Sequence, residues 1–225
     1  SNLRWVHFQI RQPRIRTRAY IPNPQHLEQF NQWMAFRLST SDVGMNEPII
    51  ERRTSTTEHC LVVSGESGLG KSSLTAHLVE YYRKKHPTAL VIEHYVGASQ
   101  ASGTATALMR HIVEEIRERF AIEDPLPSKP EELERSFANW LYRCEHLAAE
   151  EGIGVLIAID AVNQLDESGR RLAWLPKMLP EGIRVMISMT PGEPQHRLVE
   201  RGWNQLTVER LEDERFRQNI VVRYL

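Results

Sequence analysis

The sequence predicts an α/β fold with a mainly parallel sheet of five strands, and two features indicate it. Short apolar segments rich in β-branched residues alternate with longer amphipathic segments, as expected when crossover helices join parallel strands. The segment 155–159 is apolar at every position, which is typical of a strand covered by helices on both faces. With 225 residues, 41% of them hydrophobic, the chain is long enough for one large domain with its own core.

The first predicted element is a helix at 25–37. It follows the Pro22-Asn23-Pro24 segment, in which the two prolines restrict the backbone to extended and turn conformations. Leu27, Phe30 and Met34 then recur at helical spacing, so one face of this helix is apolar. The segment 39–57 that comes next shows no such spacing and is predicted to be a loop.

Strands and helices alternate through the rest of the chain. The helix predicted at 104–120 repeats apolar residues at every fourth position. The helix at 128–150 follows a proline-rich break, with Ser128 as its expected cap and Pro130 in its first turn. Further helices are predicted at 72–85 and from Glu212 onward. The strands are predicted at 60–64, 89–94, 154–160, 183–188 and 205–208.

The segment 65–72, Gly-Glu-Ser-Gly-Leu-Gly-Lys-Ser, matches the phosphate-binding pattern G-x-x-x-x-G-K-[ST] known as Walker A. It lies between a predicted strand and a predicted helix, as this motif requires. Its glycines let backbone N–H groups turn toward a phosphate, and the positive end of the following helix adds to the attraction. Lys71 is expected to reach the β- and γ-phosphates of a nucleotide, and Ser72 to bind Mg²⁺. The predicted nucleotide contacts are Gly65, Glu66, Ser67, Gly68, Leu69, Gly70, Lys71, Ser72 and Ser73.

Asp160 stands at the end of the third predicted strand, which is the Walker B pattern. A carboxylate there can hold Mg²⁺ through water while Ser72 binds the ion directly. Many ATPases place a second acid just after this position to orient the attacking water, but here Asn163 and Gln164 follow. An amide can position water and cannot act as a base at neutral pH, so hydrolysis is expected to be slow or to need a partner. The candidate catalytic residues are Lys71, Asp160 and Asn163, and the candidate metal ligands are Ser72 and Asp160.

Other polar residues are expected near the same edge of the sheet, each with two interpretations. Ser188 and Thr190 lie at the end of the fourth strand, and they either sense the γ-phosphate or are ordinary hydroxyls at a strand end. Tyr20 either forms a wall of the adenine pocket or has a structural role. The pair Arg170-Arg171 either contacts a nucleotide in a neighbouring subunit or is a solvated helix start. His94 is interpreted as a structural residue.

Composition and charge exclude several classes of function. The net charge of −1 gives no overall attraction to nucleic acid or to a membrane, and no apolar run is long enough to cross a bilayer. Cys60 and Cys144 fall on a predicted strand and on the apolar face of a predicted helix, so we interpret them as core residues of a cytoplasmic protein. Residues 1–19 form a basic arm, which either contacts a partner or is a linker.

Taken together, these segments resemble the signal-transduction ATPases with numerous domains, the STAND class. Within that class they are similar to the NACHT-like branch of the nephrocystin and telomerase-associated-protein type. The resemblance extends over about residues 20–225. The segments that carry it are 65–72, 94–99 (His-Tyr-Val-Gly-Ala-Ser), 159–165 (Ile-Asp-Ala-Val-Asn-Gln-Leu), 174–176 (Trp-Leu-Pro) with 179–180 (Leu-Pro), and 183–188 (Ile-Arg-Val-Met-Ile-Ser).

The resemblance implies a P-loop NTPase three-layer sandwich at 20–210, with strand order 5-1-4-3-2, followed at 211–225 by the start of a helical region. It implies ATP, ADP and Mg²⁺ as ligands, a homo-oligomer formed through this domain, and sensor or effector domains fused to it. No nucleic acid or membrane partner is expected. The chain departs from the family at Asn163 and Gln164, where acids are common, and at Asn23 and Thr190, where many relatives carry Arg.

Two other functions stay open on the sequence alone. One is a metabolic P-loop kinase that transfers phosphate to a small acceptor, with Arg170-Arg171 as a basic pair in its lid. The other is a non-hydrolysing scaffold whose nucleotide pocket serves folding. Binding of GTP is not favoured, because Asn163-Gln164-Leu165-Asp166 lacks the lysine of the guanine-reading motif and directly follows Walker B.

Overall fold

A computed structural model describes residues 23–35 and 59–209 of the chain. Five strands lie in these ranges: β1 (Cys60–Ser64), β2 (Leu90–Tyr95), β3 (Val155–Asp160), β4 (Ile183–Met189) and β5 (Asn204–Thr207). They form one sheet in the order β2-β3-β4-β1-β5, and every neighbouring pair is parallel. Read from its other edge, this is the predicted order 5-1-4-3-2, so the predicted fold class is confirmed.

Six α-helices are described: α1 (Pro24–Ala35), α2 (Lys71–Lys85), α3 (Ala105–Arg119), α4 (Pro130–Glu150), α5 (Glu167–Arg170) and α6 (Glu193–Glu200). The sequence pattern did not predict the short helices α5 and α6. The predicted cap of α4 is wrong, because Lys129 rather than Ser128 precedes the helix and its side chain caps nothing. Within the described ranges, no helix has the length and apolar character that crossing a membrane demands.

The helices cover both faces of the sheet, because successive side chains of each strand point to opposite sides. On β1, Leu61 and Val63 pack against α1 and α2, whereas Cys60 and Val62 belong to the core formed with α3 and α4. Cys60 and Cys144 are free thiols in that second core, and burial raises the pKa of Cys144 to about 12. The predicted three-layer arrangement and the core positions of both cysteines are therefore confirmed.

Side chains hold both ends of α1. At its start, the Asn23 Oδ1 accepts a hydrogen bond from the Gln25 N–H at 3.0 Å. At its end, the buried Arg184 of β4 donates to the carbonyl oxygens of Trp33 at 2.9 Å and of Met34 at 2.8 Å. The last carbonyls of a helix have no partner within the helix, so the guanidinium satisfies groups that burial would otherwise leave unpaired.

Several predictions fall on residues that the structure does not describe. They are the basic arm at 1–19, Tyr20, the loop at 39–57, the helix from Glu212, and the domain limits at 20, 210 and 211–225. These stay predictions. The carboxyl ends of the five strands meet at one edge of the sheet, where parallel α/β proteins bind their ligands.

Candidate nucleotide-binding site

The Walker A segment forms the loop between β1 and α2. Gly68 has a φ of 82° and Gly70 a φ of 88°, a left-handed conformation that side chains rarely adopt. Gly65 is required for a different reason: a Cβ there would lie 2.5 Å from the Val208 carbonyl oxygen. The Val208 N–H donates to the Ser64 carbonyl oxygen at 2.7 Å, so the end of β5 packs directly on the start of the loop.

Lys71 is the first residue of α2, and its ammonium group lies over the loop. Its Nζ donates to the carbonyl oxygens of Gly65 and Glu66, both at 2.7 Å. Burial lowers the pKa of Lys71, and the negative charges of Asp160 and Glu66 oppose this shift. The lysine is therefore tied to the loop on one side and interacts with the Walker B carboxylate on the other.

The start of α2 presents backbone donors at the same place. The first helical hydrogen bond joins the Leu74 N–H to the Gly70 carbonyl oxygen at 2.9 Å. The N–H groups of residues 71–73 precede it and have no acceptor within the helix. Ser72 and Ser73 are half-buried in this first turn. Backbone amides at the positive end of a helix attract an anion, and a hydroxyl beside them suits a cation bound to that anion.

Asp160 is the last residue of β3 and Ser188 is the next-to-last residue of β4. Both lie on the face of the sheet that α2 covers. Asp160 is 2% exposed and Ser188 is 1% exposed. The Ser188 hydroxyl donates to the Asp160 Oδ1 and accepts from the Ala161 N–H at 2.9 Å. Ala161 itself has a φ of 62°, which is strained for a residue with a side chain. Two groups of the Walker B segment are thus held by one hydroxyl of β4.

Asn163 lies in the short 3₁₀ turn Val162–Gln164 after Asp160. It is half-buried, and its Oδ1 accepts a hydrogen bond from the Thr190 N–H at 3.1 Å. Because the amide oxygen is used in this way, the rest of the group can act only as a donor. The neighbouring Gln164 packs over Gly97, where a Cβ would lie 2.5 Å from its Oε1.

The residues present fit a nucleotide with Mg²⁺. The loop glycines leave space beside the backbone, since a Cβ at Gly68 or Gly70 would meet nothing within 4 Å. A hydroxyl at Ser72 and a carboxylate at Asp160 are the oxygen ligands that Mg²⁺ prefers. Within residues 23–35 and 59–209, no group of three or more His, Cys, Asp or Glu side chains is placed to hold a metal ion by itself.

The other candidate residues contact their own surroundings. The Arg170 Nη1 donates to the Leu165 carbonyl oxygen at 3.1 Å, and Arg171 pairs with Glu167 at 2.5 Å. His94 is fully buried, with its Nε2 3.2 Å from the Ser102 carbonyl oxygen, as expected of a structural residue. Tyr20 lies outside the described residues.

Sequence reasoning missed three residues that shape the site: Gly97, Ala161 and Val208. The glycine was part of a segment rich in small residues, so a close approach of another chain could have been suspected there. Nothing in the sequence marks Ala161 as left-handed. Val208 was predicted only as part of a strand, and its contact with Gly65 depends on the order of the strands in the sheet.

A family model described as an AAA ATPase domain matches residues 48–188, which is more than half of the chain. The chain belongs to the AAA ATPase domain family. The match includes the Walker A loop, Asp160, Asn163 and Ser188. The AAA ATPase domain therefore has the P-loop fold that the motifs predicted, and nucleotide binding is the property that its family implies.

Known proteins similar to this AAA ATPase domain are much longer than it. A TPR repeat-containing protein of Dictyostelium discoideum is 22% identical, covering 82% of this chain and 14% of the relative. Mouse nephrocystin-3 is 28% identical over 57% of this chain and 10% of the relative. Mouse tetratricopeptide repeat protein 41 is 28% identical over 59% of this chain and 11% of the relative. The expected likeness to nephrocystin-type chains is found, and the chain spans about a seventh of these relatives or less.

Two solved structures are also similar to this chain at low sequence identity. PCH-2 of C. elegans has a TM-score of 0.45 at 14% identity, covering 84% of this chain and 44% of that one. A Walker-type ATPase of Pyrococcus abyssi has a TM-score of 0.46 at 14% identity, covering 77% of this chain and 55% of that one.

Proposed function

We propose that this AAA ATPase domain is an ATP- and Mg²⁺-binding switch of a larger STAND-type protein with a NACHT-like architecture. The observation that carries the proposal is the position of Lys71, whose ammonium contacts the carbonyls of Gly65 and Glu66 and interacts with Asp160. A cation there, beside the first-turn amides of α2, suits the charge of a triphosphate.

Ser72 and Asp160 are the residues that would hold the metal ion. When bound, Mg²⁺ supplies positive charge to the β- and γ-phosphate oxygens. Asp160 is buried on the sheet face covered by α2, and the Ser188 hydroxyl fixes one of its oxygens. The nucleotide-binding residues proposed with them are the loop from Gly65 to Ser73 and, outside the described residues, Tyr20.

We propose slow hydrolysis because Asn163, which follows the Walker B residue Asp160, carries an amide instead of a carboxylate. The Asn163 Oδ1 accepts from the Thr190 N–H, so the group can orient a water or donate to a phosphate but cannot take a proton. A partner that supplies a base or an arginine would accelerate the reaction. Under this proposal the domain holds ATP for long periods, as a switch requires.

The proposed setting is a multidomain protein that assembles through this domain. Its similar relatives extend far beyond it, and two of the three described above are named for tetratricopeptide repeats. We propose fused sensor or effector domains, including such repeats, and a nucleotide-dependent homo-oligomer. A ligand shifts such an equilibrium only by its difference in affinity for the two states, so ATP and ADP must favour different arrangements.

Three measurements on the purified chain test the proposal. ATP or ADP with Mg²⁺ at about a hundred times its dissociation constant should add about 2.7 kcal/mol of stability, which is a melting shift of roughly 5–10 °C for this size. Phosphate release should stay well below about 10 per second, the median for enzymes. Light scattering after size exclusion should show a larger species with ATP than with ADP.

Each other function has its own outcome in these experiments. Transfer of the labelled γ-phosphate to a small acceptor would show a kinase instead of a switch. Arg170 and Arg171 do not favour that role, because each contacts a residue within four or five positions of itself, Leu165 and Glu167. Tight binding of nucleotide without hydrolysis, and with equal oligomers in ATP and ADP, would leave only a scaffold. If no nucleotide raises the melting temperature, the proposal that this domain binds nucleotide is wrong.

A further inference from the structure

The Ser188 hydroxyl has one proton, and the structure shows where that proton goes. A carboxylate can only accept hydrogen bonds, so the contact with Asp160 Oδ1 requires the hydroxyl to donate. A backbone N–H can only donate, so the contact with Ala161 requires the same oxygen to accept. Both directions are fixed by the partners.

This assignment conflicts with a role of Ser188 in sensing the γ-phosphate. Phosphate oxygens are acceptors, and a serine must donate its proton to bind one. Ser188 could do so only by releasing Asp160, which is 2% exposed and would lose a donor inside the protein. Ser188 as a whole residue is also buried, at 1% exposure.

We propose that Ser188 is a positioning residue, which orients the Asp160 carboxylate for Mg²⁺ and does not contact the nucleotide. This inference rests on the proposed function, because it needs a metal ion at Asp160. A carboxylate held by one oxygen cannot rotate freely, so the hydrogen bond decides how the group meets a cation. Groups that orient a metal ligand in this way change metal affinity by about 10- to 100-fold when they are removed.

The same hydroxyl supports the strained backbone that follows. Ala161 keeps its φ of 62° while its N–H is bonded to Ser188 and its carbonyl oxygen accepts from the Gln164 N–H at 2.8 Å. Left-handed backbone at such a residue persists only when its surroundings hold it. Ser188 therefore fixes both the carboxylate and the turn that carries Asn163.

Calorimetry on four proteins tests this role. The affinities of ATP and ADP are measured with Mg²⁺ and with EDTA for the wild type, Ser188→Ala, Ser188→Thr and Ser102→Ala. Ser102→Ala is the matched control, because its hydroxyl is also fully buried and hydrogen-bonded, in the turn after β2. Ser188→Ala should lower the gain in ATP affinity that Mg²⁺ brings by about 10-fold or more, with the EDTA values unchanged. Ser188→Thr keeps the hydroxyl and should restore most of the gain.

Each contrary result has a distinct meaning. If Ser188→Ala weakens ATP but not ADP in EDTA, the hydroxyl contacts the γ-phosphate and the inference is wrong. If the variant melts lower but keeps the full Mg²⁺ gain, Ser188 is only structural. If the wild type binds no nucleotide, the proposed function is wrong, and the role of Ser188 that depends on it is wrong as well. Should Ser188→Ala not fold, Ser188→Cys replaces the hydroxyl by a weak donor of similar size and is subject to the same comparison.

Discussion

The Asn163 side chain and the Thr190 backbone are joined across the carboxyl edge of the sheet, with Oδ1 accepting from the N–H at 3.1 Å. This bond connects the turn after β3 to the segment after β4. Together with the hydrogen bonds of Ser188, it connects the ends of β3 and β4 at the edge of the sheet where parallel α/β proteins bind their ligands. The Asn163 Oδ1 thus has a structural role, and its NH₂ group remains a donor.

Replacing Asn163 by Asp should accelerate hydrolysis of ATP. The shape is kept, so one oxygen still accepts from Thr190, while the donor becomes a carboxylate oxygen that can act as a base. We expect the single-turnover rate to rise by about 10-fold or more, since a positioned base contributes about 10²- to 10⁴-fold. Asn163→Ala is the control and should show no gain. An Asp variant as slow as the wild type would show that the missing base does not limit the reaction.

Gly65→Ala should destabilise the domain, whereas Gly103→Ala should not. A Cβ at Gly65 would lie 2.5 Å from the Val208 carbonyl oxygen, but one at Gly103 would meet nothing within 4 Å. We expect a loss of about 1–3 kcal/mol in the free energy of unfolding for the first and a change within about 0.5 kcal/mol for the second. Urea denaturation measures both. Equal stability of the two variants would contradict the packing of β5 on the loop.

Arg184→Ala should be far more destabilising than Arg143→Ala. Arg184 is 6% exposed and donates to the Trp33 and Met34 carbonyls, so its removal leaves buried acceptors unpaired. Arg143 pairs with Asp124 at the surface, where such pairs contribute about 0–1 kcal/mol. We expect a loss of about 2–4 kcal/mol for Arg184→Ala in the same denaturation experiment. A difference below about 1 kcal/mol would show that α1 does not depend on this cap.

The stability of the domain should fall between pH 6.5 and about 4 because of His94. Burial and the charge of the neighbouring His111 lower the pKa of His94 to about 4, although the Ser102 carbonyl opposes the shift. As the pH falls below 6.5, the unfolded chain takes up a proton that the folded chain excludes, which costs up to about 3 kcal/mol by pH 4. His111 lies beside His94, with 3.2 Å between the two Nδ1 atoms, and the other ring nitrogen of His111 pairs with Glu115.

Denaturation midpoints from pH 7.5 to 4 measure this dependence in the wild type, His94→Gln and His146→Gln. His94→Gln should reduce the loss of stability that accompanies the decrease in pH. His146 is exposed on α4, so its variant should keep the slope of the wild type. A His94→Gln protein with the wild-type slope would assign the pH dependence to other groups.

The sequence pattern predicted all five strands, because apolar and β-branched runs mark strands that a sheet buries. The order of the strands was implied by the resemblance to STAND-class ATPases. The Walker A residues and Asp160 could be proposed as site residues for a different reason, because phosphate and metal binding impose a fixed local spacing on them. The geometry of helix caps and turns was predicted less accurately than the strands. Ser128 has the right chemistry for a cap, but α4 begins one residue too late to use it.

Contacts between segments that are distant in the chain could not be predicted from the sequence. The bond from Ser188 to Asp160 depends on the register of β3 and β4, in which Ile159 lies opposite Ile187. The left-handed Ala161 has no signal in its residue type. The short helices α5 and α6 were missed because runs of four and eight residues are too short for an apolar period to emerge.

The central claim is that the loop and Lys71 hold a triphosphate, and calorimetry of Mg²⁺-ATP binding tests it most directly. Wild type, Lys71→Ala and Lys177→Ala should be compared, because Lys177 is an exposed lysine outside the Walker A segment. We expect measurable binding to the wild type and to Lys177→Ala, and a loss of affinity of at least about 10-fold, or about 1.4 kcal/mol, in Lys71→Ala while the variant remains folded. Equal affinity in all three proteins, or no binding to the wild type, would contradict it.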